Sequence, residues 1–181
     1  MKYAVVFLCN SFIIIAGCNL LKTREVEPPY DRATTFLPPT SADIVLNNFR
    51  RSVIDYKIDN YMKCFVDTSE RNYVFVPSSY YGIFYSWDLE SERTYMLNLG
   101  KPSFTPTLNF IYRDSIITGD SVGYYVDYYL EYPHNINEVS KVRGGMWLYL
   151  QKNKQGFWSI YRWEDIRTET DSTWSYLKAN I

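Results

Sequence analysis

Tyr124-Tyr125-Val126-Asp127-Tyr128-Tyr129-Leu130-Glu131-Tyr132 decides how this chain folds. Its even positions, Tyr124, Val126, Tyr128, Leu130 and Tyr132, are aromatic or aliphatic throughout, whereas the odd positions bring in Asp127 and Glu131. A period of two is the pleat of a β-strand, so the pattern predicts one buried face and one amphipathic face. The same behaviour returns in Met146 to Leu150 and Phe157 to Trp163, on either side of Asn153-Lys154-Gln155-Gly156, which predicts a hairpin. An earlier hairpin is expected to turn at Gly119-Asp120, with its first arm in the Phe104 to Ile117 region. Four or more strands joined by short connections make an antiparallel sheet. The 18 Tyr, 10 Phe and 5 Trp of this 181-residue chain suit a large pleated, half-buried surface.

Upstream of residue 104 the period is helical. Thr40-Ser41-Ala42-Asp43 reads as a capping-box-like start, the Thr40 hydroxyl accepting from the Asp43 N–H, and a helix is expected over about 41–56. Val45, Phe49 and Val53, with Leu46 and Ile54 beside them, form its apolar stripe, and Asn47, Arg50 and Arg51 fill the other side. Asp59 opens a second short helix whose Ile58, Tyr61, Met62 and Phe65 keep the spacing. Tyr73-Val74-Phe75-Val76 before Pro77 reads as a strand, and a third helix over about 86–99 is stopped by Gly100 and Pro102. Trp174 to Lys178 is expected to form a short terminal helix. The fold class is α+β, with helices packed against an antiparallel sheet.

The N-terminus carries an address. Lys2 is followed by the apolar stretch Tyr3 to Ile15, and Ile15-Ala16-Gly17-Cys18 resembles a bacterial lipobox. That resemblance implies a signal peptide over 1–17, removal of it before Cys18, a diacylglycerol on the Cys18 sulfur, and palmitate among the acyl chains of the anchor. The apolar run is too short for a membrane span of about 20 residues. Residues 18–39, with Pro28-Pro29 and Pro38-Pro39, read as a lipidated flexible tether reaching about 25 Å, and 40–181 as a single domain. Asn19 after the cysteine resembles the outer-membrane pattern, so the expected location is the bacterial cell envelope with the membrane as partner. Cys9 is lost with the leader and Cys18 is consumed, which leaves Cys64 as a lone thiol and no internal disulfide. A net charge of −1 without a basic patch argues against nucleic acid.

Thr40 through Val76, with its chain-reversing Asp59-Asn60-Tyr61 and the following Cys64-Phe65-Val66-Asp67, resembles the opening of the nuclear transport factor 2-like, cystatin-like cone fold found in small bacterial lipoproteins. Gly156-Phe157-Trp158-Ser159-Ile160-Tyr161-Arg162-Trp163-Glu164-Asp165, followed by Thr173-Trp174-Ser175-Tyr176-Leu177-Lys178, is similar to the ending of uncharacterised members. The resemblance implies a strongly curved antiparallel sheet wrapped around the helices, with a pocket at the open end. Members include ketosteroid isomerases, dehydratases, polyketide cyclases, transport factors and domains that only bind or dimerise, so the fold does not give the function.

An isomerase or dehydratase on such a frame needs a general base beside a tyrosine inside the pocket. The candidates are Asp127, flanked on its face by Tyr125 and Tyr129, and His134, the single histidine. The outward face suits Asp127 better, and Pro133-His134-Asn135 reads as a solvated connection. Glu164 and Asp165 point to opposite faces, which suits ion pairing or capping of the next turn rather than an acid/base couple. Cys64 fits a buried hydrophobe, and Gly144-Gly145 a bulge or tight bend. With one histidine and one free cysteine no metal-ligand spacing exists, and no cofactor is implied. The expected activity is therefore non-enzymatic: an envelope module binding a small apolar ligand or a protein, or pairing as a homodimer, with exposed Tyr and Trp as its interface.

Overall fold

A computed structural model describes residues 36–79, 82–134, 140–169 and 172–181. Cys18 and the leader lie outside the described residues. Helix α1 spans Ala42–Ile54 and is capped by Ser41, in extended conformation, whose Oγ accepts from the Ile44 N–H at 3.3 Å. The cap thus falls one residue later than the Thr40–Asp43 box. Val45, Leu46, Phe49 and Val53 are fully buried along one side, and two polar residues share that side at no loss of hydrogen bonding. Ser52 Oγ donates to the Phe49 carbonyl, and the Asn48 amide both donates to and accepts from Leu37.

That last pair corrects the domain boundary at residue 40. Residues 36–39 are fastened to the domain: Leu37 is held by Asn48, Phe36 packs on the core, and the Trp158 N–H donates to the Pro39 carbonyl at 2.8 Å. Backbone groups tied in this way do not belong to a flexible tether.

Helix α2, Ile58–Met62, returns the chain and buries Tyr61. Strand β1, Val74–Val76, is followed by a 3₁₀ turn over Gly82–Ser86 and by helix α3, Leu89–Leu99. The residues expected to begin a single helix at 86 split here because Asp88 is extended and caps α3, its carboxylate accepting from the Ser91 N–H at 2.9 Å. Gly100, at φ 73°, ends α3 in the left-handed region that an L side chain resists.

Four long strands follow: β2 Thr107–Thr118, β3 Ser121–Glu131, β4 Lys141–Lys152 and β5 Trp158–Ile166, and the chain closes with α4, Trp174–Ala179. The five-stranded order is β1-β5-β4-β3-β2. All pairs are antiparallel except β1 with β5, which is parallel, with Phe75 opposite Trp163. Both hairpins turn where the sequence places them, at Gly119-Asp120 and at Asn153 to Gly156. The strand registers shift between Tyr112 and Asp114 and between Tyr149 and Leu150. Such irregularities bend a sheet and increase its twist.

Gly144 and Gly145 are regularly paired, opposite Tyr128 and Asp127, so the expected bulge or bend there is not what they provide. They make room for rings. A Cβ on Gly144 would meet the Ile166 carbonyl oxygen at 2.7 Å and the Tyr128 hydroxyl at 2.9 Å, and one on Gly145 would strike the Tyr125 hydroxyl.

The core lies between the helices and the inner face of the sheet. Val126, Leu130, Met146, Leu148, Leu150, Ile160 and Trp163 face it, each fully buried. Burying each such side chain stabilises the fold by about 1.5–3 kcal/mol relative to exposure. Rings fill the interior edge to face: Trp163 packs on Trp174 at 4.8 Å and on Phe49 at 5.5 Å between centroids, and Tyr61 packs on Phe65 at 5.0 Å.

Candidate functional site

The residues singled out from sequence are not gathered into one place. Asp127 sits in the middle of β3 on the face away from the core, where its Oδ2 accepts from Arg113 Nε at 2.6 Å. His134 lies past the end of β3, half-buried in the connection towards β4. Cys64 is fully buried and its thiol donates to the Asn60 carbonyl; burial pushes the thiol well above its usual range, away from nucleophilic chemistry. Glu164 and Asp165 point to opposite faces. Glu164 accepts from Arg162 on the outer side, and Asp165 turns inward.

Asp165 is the first of two buried carboxylates. Its Oδ1 accepts from the Tyr128 hydroxyl at 2.7 Å, and its Oδ2 accepts from the Ser175 N–H and hydroxyl at 2.6 and 2.5 Å. The Tyr128 oxygen in turn accepts from the Trp174 N–H at 2.6 Å. An anion therefore holds the first turn of α4, where free N–H groups and the helix dipole favour negative charge. Burial and the Asp165 charge keep the Tyr128 phenol well above its ordinary value, so it stays a donor.

The second carboxylate, Glu92, was not singled out from sequence. It lies on α3, fully buried, and four side chains converge on it. Tyr61 donates to Oε2 at 2.8 Å; Tyr73, Trp87 Nε1 and Lys178 Nζ donate to Oε1 at 2.7, 2.8 and 2.5 Å. Lys178, from α4, is likewise buried. Its Nζ lies 3.8 Å from the ring centres of both Phe75 and Trp163, with Trp87 and Tyr95 at 5.2 and 5.6 Å. The ammonium thus rests in an aromatic box closed by one carboxylate. Desolvation pulls the amine down to about 8 against the opposing pull of Glu92. Desolvation first, and then the Glu92 charge, raises Tyr61 and Tyr73 well above the usual phenol range.

Helical spacing carried a signal for this pair. Glu92 shares a face with Tyr95, Met96 and Leu99, and Lys178 stands four residues after Trp174 on the face that includes Leu177. A groove of about 660 Å³ runs along the outside of the box, and Trp87, Tyr95 and Lys178 belong to both.

The outer face of the sheet is built differently. Tyr125 packs on Trp147 at 5.3 Å, Trp147 lies nearly parallel to Tyr149 at 5.7 Å, and Tyr149 meets Tyr161 at 6.3 Å. The Arg71 guanidinium caps the row 3.5 Å from the Tyr161 ring centre. All four rings are half-buried. Beside them stand the ion pairs Arg113–Asp127, Lys141–Glu131 and Arg162–Glu164. The row depends on Gly123 and Gly145: a Cβ on Gly123 would meet the Tyr149 ring at 2.9 Å.

No protein-family model and no curated protein sequence matches the chain. Solved structures do. A nuclear transport factor 2-like protein of unknown function from Pseudomonas putida superposes with a TM-score of 0.55 at 8% identity, covering 74% of this chain and 88% of its own. A second such protein, from Shewanella oneidensis, gives 0.51 at 11% identity over 67% of this chain and 93% of its own. A conserved protein from Planctomyces limnophilus gives 0.55 at 8% identity over 68% and 91%. At these identities the likeness speaks for architecture and not for chemistry. The chain has the nuclear transport factor 2-like cone fold, a few helices held in a curled, mostly antiparallel sheet.

Proposed function

We propose that this protein is a lipid-anchored component of the bacterial cell envelope, outer membrane included, that binds a protein partner through the outer face of its sheet and is not an enzyme. The row Tyr125, Trp147, Tyr149 and Tyr161 carries the reading. Large half-exposed rings packed on one another and ringed by polar groups are the usual make-up of a docking surface. The ring packing among the described interior residues supports it from the other side. Where an isomerase or dehydratase would keep room for substrate, rings from Phe49, Trp163 and Trp174 meet one another, and Glu92 and Asp165 already hold full sets of donors. Asp127 is paired with Arg113 on the outer face, away from any interior chemistry.

Two measurements test the two halves. Replacing Cys18 by Ala in the full chain is expected to abolish incorporation of labelled palmitate and to release the protein from membranes; unchanged labelling overturns the anchor. A photo-reactive side chain at Tyr149 is expected to give a discrete cross-linked adduct in intact cells, and one at the exposed turn residue Lys154 none. Absence of any adduct at Tyr149 overturns the docking face.

A further inference from the structure

Among the described residues Glu92–Lys178 is the one ion pair with both side chains wholly removed from solvent. Its two partners come from α3 and from the terminal helix α4, 86 residues apart in sequence. A charge pair in such a place is costly to keep, because desolvating both ions offsets most of their attraction. The enclosure favours any arrangement that removes the charges.

We propose that Glu92 and Lys178 condense into a side-chain amide, an isopeptide bond that joins α3 to α4. The proton of the Lys178 ammonium passes to Glu92 Oε1 across 2.5 Å, which leaves an uncharged carboxylic acid and a free amine in contact. The amine lone pair attacks Cδ and forms the C–N bond. Negative charge develops on Oε2, where the Tyr61 hydroxyl already stands at 2.8 Å as a preorganised donor. A proton from the nitrogen then moves to Oε1, the C–Oε1 bond breaks, and one water leaves. Tyr73 and Trp87, at 2.7 and 2.8 Å from Oε1, hold that oxygen as it departs. Carboxylate plus ammonium gives amide plus water, with nothing oxidised or reduced and no co-reactant.

One further feature favours the step. The four rings around Nζ confine it against the carboxyl group, which converts a bimolecular condensation into an intramolecular one.

The test is the mass of a tryptic digest of the folded, then denatured protein. Trypsin does not cut after an acylated lysine, so the expected product is a branched peptide in which 72–93 is joined to 168–181, one water lighter than the two together. Lys178→Arg keeps the charge pair but not the amine nucleophile, and is expected to lose the branch. Recovery of 72–93 and 168–178 only as linear peptides of full mass from the unsubstituted protein overturns the proposal. That result stands whether or not the variant folds.

Discussion

On the inner face of the sheet Tyr128 and Trp163 are at most 3% exposed; one residue along each strand, on the outer face, Tyr129 and Glu164 meet water. Both faces are crowded with rings, yet they spend their polar groups in opposite ways. Inside, phenol and indole tips are aimed at two carboxylates and Trp174 donates to Tyr95, so rings and hydrogen bonds form one network. Outside, the rings stack along the strands while the charges pair separately beside them. Inside, Tyr128 and Trp174 are fixed by their polar tips as well as by packing. Outside, Trp147, Tyr149 and Tyr161 are held by one another and by the Arg71 guanidinium.

The contrast predicts a graded response to substitution. Trp174→Ala removes a fully buried indole that touches Phe49, Tyr128 and Trp163, and is expected to cost about 3–5 kcal/mol in urea unfolding. A cost below ~1 kcal/mol would mean that the interior is not the close-packed network described. The neighbouring glycines separate the faces more finely. Gly144→Ala drives a methyl into the Ile166 backbone carbonyl on the inner side and is expected to cost about 1–3 kcal/mol. Gly145→Ala meets only the far end of the Tyr125 side chain, which can swing away, so its cost should stay within about 0.5 kcal/mol. Equal costs would erase the distinction between faces. Smallest of all, Asp127→Asn breaks a half-exposed pair and should change stability by about 0.3 kcal/mol, less in high salt.

Alternation made β3 to β5 readable, because a half-buried strand writes its burial directly into every second residue, whereas β2 is exposed along most of its length and was placed only as the first arm of a hairpin. The parallel seam between β1 and β5 was not readable: Val74–Val76 is three residues long, and its partner lies far along the chain. The start of α1 shifted by one residue because Thr40 and Ser41 are both good caps and only the backbone decides between them. The outward place of Asp127 and the split of Glu164 from Asp165 were legible from strand parity. Glu92 and Lys178 were passed over for the opposite reason. Glu and Lys on short helices ordinarily face water, and only their spacing from Tyr95 and Trp174 marks these two as inward.

The irregularity between Tyr112 and Asp114 has a consequence for how large this sheet can become. β2 is an edge strand of 12 residues with Ile111, Ile116 and Ile117 exposed, the kind of border on which another chain could add itself as a sixth strand. Arg50 of α1 blocks one end by donating to the Leu108 carbonyl at 2.5 Å. Further on, the register shift breaks the straight ladder where Arg113 and Asp114 add charge. Among the described residues the border is interrupted rather than covered, and the sheet ends at five strands.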